Sequence, residues 1–181
     1  MSSYRVAVRY AKSLLSLAIE KNKVEEVKRD ILLFSSLCHE SRALTLFLRN
    51  PVIPNHRKSE IIKKLFNKQF DSMTMDFMDI VTRKNRENFL IEIASIFMDH
   101  YREYKGIVIA RLQTSVKFEE ASLKRLISLI KDDIGQDKSI EIKEQVNKNL
   151  IGGYILTIGD RQIDDSVQNK LKFFRQKLIV K

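Results

Sequence analysis

All five glycines of this 181-residue chain stand at position 106 or later. Glycine reaches positive φ without steric cost, and so opens wide turns, bulges and hairpins. The preceding 105 residues, which lack it, are restricted to regular elements with short connections. The apolar pattern says which elements. Ala7, Tyr10, Ala11, Leu14, Leu15 and Ala18 recur at spacings of three and four, which gathers them on one helix face. Val24, Val27, Ile31, Phe34 and Leu37 predict a second helix, and Ala43, Leu44, Phe47 and Leu48 a short third. Pro51 and Pro54 forbid its continuation. Ile61, Ile62, Leu65 and Phe66 mark a fourth helix, Met73, Phe77, Met78 and Val81 a fifth. Phe89, Ile93, Ala94, Phe97 and Tyr101 mark a long sixth. Six short amphipathic helices with brief connections predict a bundle.

The period changes at Gly106. Val108, Ala110, Leu112, Thr114 and Val116 alternate with their neighbours, as a half-buried strand does. Leu123, Leu126, Ile127 and Ile130 return to helical spacing. Ile140 and Ile142 alternate, then Tyr154, Leu156 and Ile158, with "QID" a possible short strand. Val167, Leu171, Phe174 and Leu178 predict a closing helix with these residues inward. The expected fold class is α+β and multidomain. Residues 1–105 form a six-helix bundle and residues 106–181 a small α/β module with a short mixed sheet. No Ser- or Gly-rich linker separates them, and no internal repeat is present.

The stretch "IGGYILTIGD", residues 151–160, is the one place where glycines could hold a phosphate. A phosphate cradle sets glycines between a strand and the amino end of a helix, where free N–H groups converge. Gly152 and Gly153 instead precede a strand, and no Lys followed by Ser or Thr comes after them. They read as a connection that needs positive φ or close backbone approach. Gly159-Asp160 reads as a tight turn, and Asp164, Asp165 or Ser166 as the cap of the last helix.

No other chemistry assembles. His39, His56 and His100 lie far apart, without paired-ligand spacing. The doublets Glu119-Glu120 and Asp132-Asp133 fall in a helix, where adjacent side chains diverge. Cys38 lies on an apolar helix with no neighbouring base and reads as a buried thiol, so there is no disulfide framework. No catalytic residue, cofactor or metal is expected. No apolar run approaches the roughly 18 residues of a membrane span, and the first residues do not read as a secretory signal.

The net charge is +10. Residues 1–105 hold 19 Lys/Arg against 13 Asp/Glu, and residues 106–181 hold 14 against 10, so the excess is spread along the chain. Such a balance suits an acidic protein partner, an anionic surface or a nucleic acid. A small basic nucleic-acid-binding protein is therefore the alternative reading. It lacks a G-x-x-G helix turn and the strand aromatics of an RNA-binding sheet.

Three segments carry a family resemblance. "GGYILTIGDRQIDDSVQNKLKFFRQKL", residues 152–178, holds Gly152, Gly153, Gly159, Asp160, Ile163, Asp164, Ser166, Val167 and Leu171 in a distinctive order. "RYAKSLLSLA", residues 9–18, sets Tyr10, Ala11, Lys12 and Leu14. "LRNPVIPNHRKSEIIKKLF", residues 48–66, carries the prolines. Together they resemble the delta subunit family of the F-type ATP synthase, similar to the mitochondrial oligomycin-sensitivity-conferring protein. Two positions depart from the family pattern: Asn85 precedes Arg86, and Asp165 precedes Ser166, where glycine is common.

The resemblance implies a non-catalytic stator subunit without cofactors. It links the catalytic head to the peripheral stalk, so that rotor torque drives ATP synthesis. The amino-terminal bundle would receive the N-terminal segment of an alpha subunit between its first and fifth helices. The candidates are Tyr10, Ser13, Leu14 and Leu17 with Phe77, Met78 and Val81. The carboxy-terminal module would hold the b subunits. The resemblance also implies a peripheral place on the cytoplasmic face of a bacterial plasma membrane. Membrane contact would come only through partner subunits, with no functional homo-oligomer.

Overall fold

In the computed structural model, residues 3–116, 120–134 and 139–179 are described. The chain is α+β: among the described residues there are eight α-helices and a four-stranded mixed sheet. It divides into two compact units, residues 1–101 and 102–181.

The first unit holds α1 (Ser3–Glu20), α2 (Val24–Glu40), α3 (Arg42–Arg49), α4 (Asn55–Phe66), α5 (Ser72–Arg83), a single 3-10 turn at Glu87–Phe89, and most of α6 (Leu90–Tyr104). Its core is the stripe side of these helices: Ala7, Ala11, Leu14, Ala18, Val27, Ile31, Phe34, Ile62, Phe66, Met78, Val81, Ile93 and Phe97. Phe34 meets Phe66 edge-on at 5.8 Å, and Phe66 stacks on Phe70 at 4.6 Å. Ala43, Ile61 and Leu65, read as core, are instead exposed. The short α3 buries only Leu48, and α4 buries about one residue per turn, Lys58, Ile62 and Phe66.

A glycine-free unit must still end its helices, and asparagine does this. After α1, Asn22 takes φ +54; its N–H bonds the Ile19 carbonyl at 3.1 Å and Lys23 N–H bonds that of Ala18 at 2.9 Å. After α5, Asn85 takes φ +56, with its N–H on Thr82 and the Arg86 N–H on Val81. Both are Schellman caps with asparagine in the left-handed position that glycine usually fills.

Carboxylates join the helices. Asp79 of α5 accepts from Ser59 Oγ of α4 at 2.5 Å and pairs with Lys63 at 3.0 Å and Arg83 at 2.6 Å. The Ser59 hydrogen bond, then those cations, hold its carboxyl below the usual range. Asp71 caps α5 by accepting from Met73 N–H, and its other oxygen accepts from Lys23 Nζ at 2.7 Å. Lys23, followed by Met73 N–H, depresses its pKa too. Such groups stabilise the fold fully above their unfolded pKa of about 3.9, and lose that contribution as pH falls through the lower folded value. Urea midpoints followed by circular dichroism should therefore hold level down to about pH 5 and fall below about pH 4. In Asp79→Asn the midpoint at pH 7 should be lower and the acid decline shallower.

The second unit opens with a helix end capped at Gly106 (φ +64) and holds β1 (Ile107–Thr114), α7 (Glu120–Ile134), β2 (Ser139–Val146), β3 (Tyr154–Ile158), β4 (Arg161–Asp164) and α8 (Val167–Ile179). The sheet order is β2-β1-β3-β4. β1 runs parallel to β2 through the α7 crossover and antiparallel to β3, which forms a hairpin with β4. Ile158 faces Arg161 across a two-residue loop, with positive φ only at Gly159, as in a II′ turn. Ala110, Leu112, Leu126, Ile130 and Leu156 are the core, with Leu123, Ile140, Ile142, Tyr154 and Ile158 packed on it. Val116, read as part of the first strand's inner face, lies past its end and is exposed.

The closing helix departs most from expectation. Val167, Leu171 and Phe174, read as inward, are exposed, as is every side chain from 167 to 177. The Leu178 side chain lies outside the described residues, as do those of Asp132 and Asp133; Glu119 lies outside them entirely. Among the described residues, the core of this unit comes from the sheet and α7 and not from α8.

Candidate docking surfaces

On the first unit, α1 and α5 meet through Tyr10 and Phe77, whose rings pack edge-on at 6.1 Å. Arg86, just past the α5 cap, donates from Nη1 to the Tyr10 hydroxyl at 2.8 Å, and its guanidinium lies 5.5 Å from the ring centroid. A cation over an aromatic face adds roughly 0.5–1 kcal/mol at a part-exposed site. The ring is thus held at both ends, and forms a fixed wall. Ser13 and Leu17 follow Tyr10 at i+3 and i+7 on the same side of α1 and are exposed. A shallow cavity runs along the outer side of α1, lined by Arg9, Lys12, Ser13, Ser16, Leu17 and Glu20.

The seven residues singled out from the sequence therefore separate. Tyr10, Ser13, Leu17 and Phe77 reach the surface or its margin. Leu14, Met78 and Val81 are 1%, 1% and 0% exposed and lie in the core beneath. Arg86 is the participant the helical periodicity does not single out, because a single cation in a connection leaves no periodic signal.

On the second unit, Gly152, Gly153, Gly159, Asp160, Asp164 and Ser166 build a clasp and a turn. Gly153 has φ +79, and a Cβ there would stand 2.4 Å from the Asp165 carbonyl oxygen and 2.9 Å from Ser166 Cα. The Gly152 carbonyl accepts from Val167 N–H at 3.0 Å, and the Tyr154 carbonyl from Asp165 N–H at 3.0 Å. Asp164 Oδ1 accepts from Ser166 N–H, and the buried Ser166 caps α8 by accepting from Asn169 N–H at 3.2 Å. The Ser166 hydroxyl and N–H hold the Asp164 carboxyl below its usual range. Gly159 and the exposed Asp160 make the hairpin loop. The Gly153 side that a phosphate would need is filled by the backbone of Asp165 and Ser166. The glycine pair ties the sheet to the root of α8.

Among the described residues, no group of three His, Cys, Asp or Glu side chains could hold a metal ion, and no single helix is long and apolar enough to cross a membrane. Burial pushes the Cys38 thiol up to about 11, far from a reactive thiolate.

The family model for the ATP synthase delta (OSCP) subunit matches residues 6–178. The chain is 34% identical over 179 residues to ATP synthase subunit delta of Chlorobaculum parvum, covering 99% of this chain and 98% of that protein. It is 32% identical over 180 residues to the Cytophaga hutchinsonii protein of the same name, covering 98% and 96%. A chain of the Toxoplasma gondii mitochondrial ATP synthase hexamer shares the fold, with a TM-score of 0.71 at 23% identity, covering 96% of this chain and 97% of that one. Similarity over nearly the whole length leaves nothing to favour the nucleic-acid alternative. The chain belongs to the ATP synthase delta (OSCP) subunit family, and is a structural stator subunit of ATP synthase and not a catalytic one.

Proposed function

We propose that the chain works as a stator joint through two separate docking surfaces. Helices α1–α6 act as one docking bundle (residues 1–105) for the N-terminal segment of an alpha subunit of the catalytic head. Residues 106–181 hold the b subunits of the peripheral stalk. The chain then sits peripherally at the cytoplasmic face of the membrane, attached through these partners. The observation that carries the bundle's role is the Tyr10–Phe77 wall, locked by Arg86 beside the exposed Ser13 and Leu17. An amphipathic segment can lay its apolar face along that line, helix in groove. Leu14, Met78 and Val81 are buried and belong to the core of the bundle.

The test is titration of the full chain with a peptide from the alpha subunit's amino terminus. Leu17→Glu and Ser13→Arg sit on the surface, and each should weaken binding by about tenfold or more while leaving the unfolding midpoint unchanged. Leu14→Glu does not discriminate, because it places a charge in the core. Wild-type affinity in both surface variants would refute the groove.

A further inference from the structure

We propose that two matching corners hold the groove between α1 and α5 at one width, and that the Lys23–Asp71 pair at its far end positions the docked segment without touching it. This rests on the reading that the groove receives the alpha segment, and names what sets its shape. The two helices run antiparallel: Tyr10 of α1 lies beside Arg86 just past α5, while Lys23 just past α1 lies beside Asp71 just before α5. One short motif ends both helices, Lys21-Asn22-Lys23 after α1 and Lys84-Asn85-Arg86 after α5. In each, the asparagine takes the left-handed position, and the N–H of the cation that follows bonds back into its own helix, Lys23 to Ala18 and Arg86 to Val81. The backbone of each cation is thereby fixed to the helix it ends. Its side chain then crosses to the other helix: Arg86 donates to the Tyr10 hydroxyl at 2.8 Å, and Lys23 to Asp71 Oδ2 at 2.7 Å. One such corner alone is a hinge, whereas two at opposite ends set the spacing.

Asp71 is itself held from behind. Its Oδ1 accepts from Met73 N–H at 2.9 Å, so a single carboxylate both caps α5 and joins it to the end of α1. Its own N–H donates at 2.7 Å to Oδ2 of Asp30 on α2, a side chain only 1% exposed. Phe70, one residue earlier, stacks on Phe66 at 4.6 Å. Burial of the Asp30 carboxylate is costly. Among the described residues its other oxygen has no hydrogen bond, with the Arg29 guanidinium 3.8 Å away. A buried charge given to one backbone N–H fixes a position more than it adds stability. Lys23 and Asp71, by contrast, are 40% and 19% exposed, and an ion pair in that setting contributes little to folding. The effect of the pair is geometric. A groove already at its bound width spares the incoming segment the cost of ordering two helices.

The experiment titrates the alpha-subunit peptide into the full chain and reads the α1–α5 distance from spin labels on Ile19→Cys and Asp76→Cys, both exposed, with Cys38→Ala removing the native thiol. Lys23→Met and Asp71→Asn each break the pair, and asparagine still caps α5. Each should weaken peptide binding by about five- to tenfold, as the fraction of chains with a competent groove falls. The double variant should bind no more weakly than either single one, because both remove the same interaction. The label distance, single and narrow in wild type, should broaden in both variants and narrow again with saturating peptide. Unfolding midpoints should stay near wild type, and Lys23→Arg should keep wild-type affinity and width. Wild-type affinity and label distance in Lys23→Met and Asp71→Asn would overturn the clasp while leaving the groove reading in place. Weaker binding with an unchanged label distance would make Lys23 a direct contact of the peptide, and would equally overturn the proposal. Absence of peptide binding by wild type would overturn both.

Discussion

Lys58→Ala is expected to lower the unfolding free energy of the helical unit by about 3–5 kcal/mol, the cost of leaving a buried charge without its partner. Lys58 Nζ lies 2.6 Å from Glu87 Oε1, and the side chains are only 2% and 9% exposed. The same ammonium donates to the Leu48 carbonyl at 3.3 Å. One cation therefore ties the start of α4 to the end of α3 and to the 3-10 turn before α6. Its removal strands the Glu87 carboxylate, whose other oxygen already lacks a hydrogen-bond partner among the described residues. Because the pair is incompletely satisfied, Lys58→Met/Glu87→Leu should recover most of the loss, ending within about 1–2 kcal/mol of wild type. Urea unfolding by circular dichroism separates these outcomes. A loss under about 1 kcal/mol in Lys58→Ala would mean that the pair is hydrated in solution.

The second large effect is expected at Gly153. An alanine there must hold a left-handed φ and place its Cβ 2.4 Å from the Asp165 carbonyl oxygen, so backbone must move. Strain and overpacking together should destabilise the second unit by about 2–4 kcal/mol. The displaced segment carries the Asp165 and Val167 N–H bonds that tie the sheet to α8. Hydrogen exchange should therefore rise first at the root of α8 and along β3, and leave the helical unit unchanged. Gly159→Ala is the control: its φ is +55 but nothing stands within 4 Å, so only the backbone cost of about 1 kcal/mol applies. Equal melting of the two variants would show that close approach at Gly153 does not matter.

The periodicity of the sequence was enough to place the helices, the strands and the two-residue loop at Gly159, because each of those is a local pattern of apolar spacing or turn chemistry. What it could not give depends on partners distant in the chain. Nothing in the apolar spacing of α2 singles out Asp30, yet it is 1% exposed and accepts from the Asp71 N–H at 2.7 Å. Nothing in the sequence pattern links Lys58 to Glu87; only the fold brings them together 29 residues apart. Leu14 and Leu17 stand together among the groove candidates, and the structure separates them by burial. The stripe on α8 is the opposite case. Its spacing is legible, but spacing says only that a face wants cover, not whether this chain or a partner provides it.

As proposed here, this chain joins two bodies and performs no bond-making. The most direct test mixes the full chain with the catalytic head and the soluble b subunit and follows the complexes by sedimentation, with ATP turnover by the isolated chain as a companion reading. The predicted result is a single complex that contains all three and forms only when the chain is present, with no hydrolysis by the chain alone. Competition between the head and the b subunit for the chain, or a head–stalk complex that assembles without it, would contradict the account.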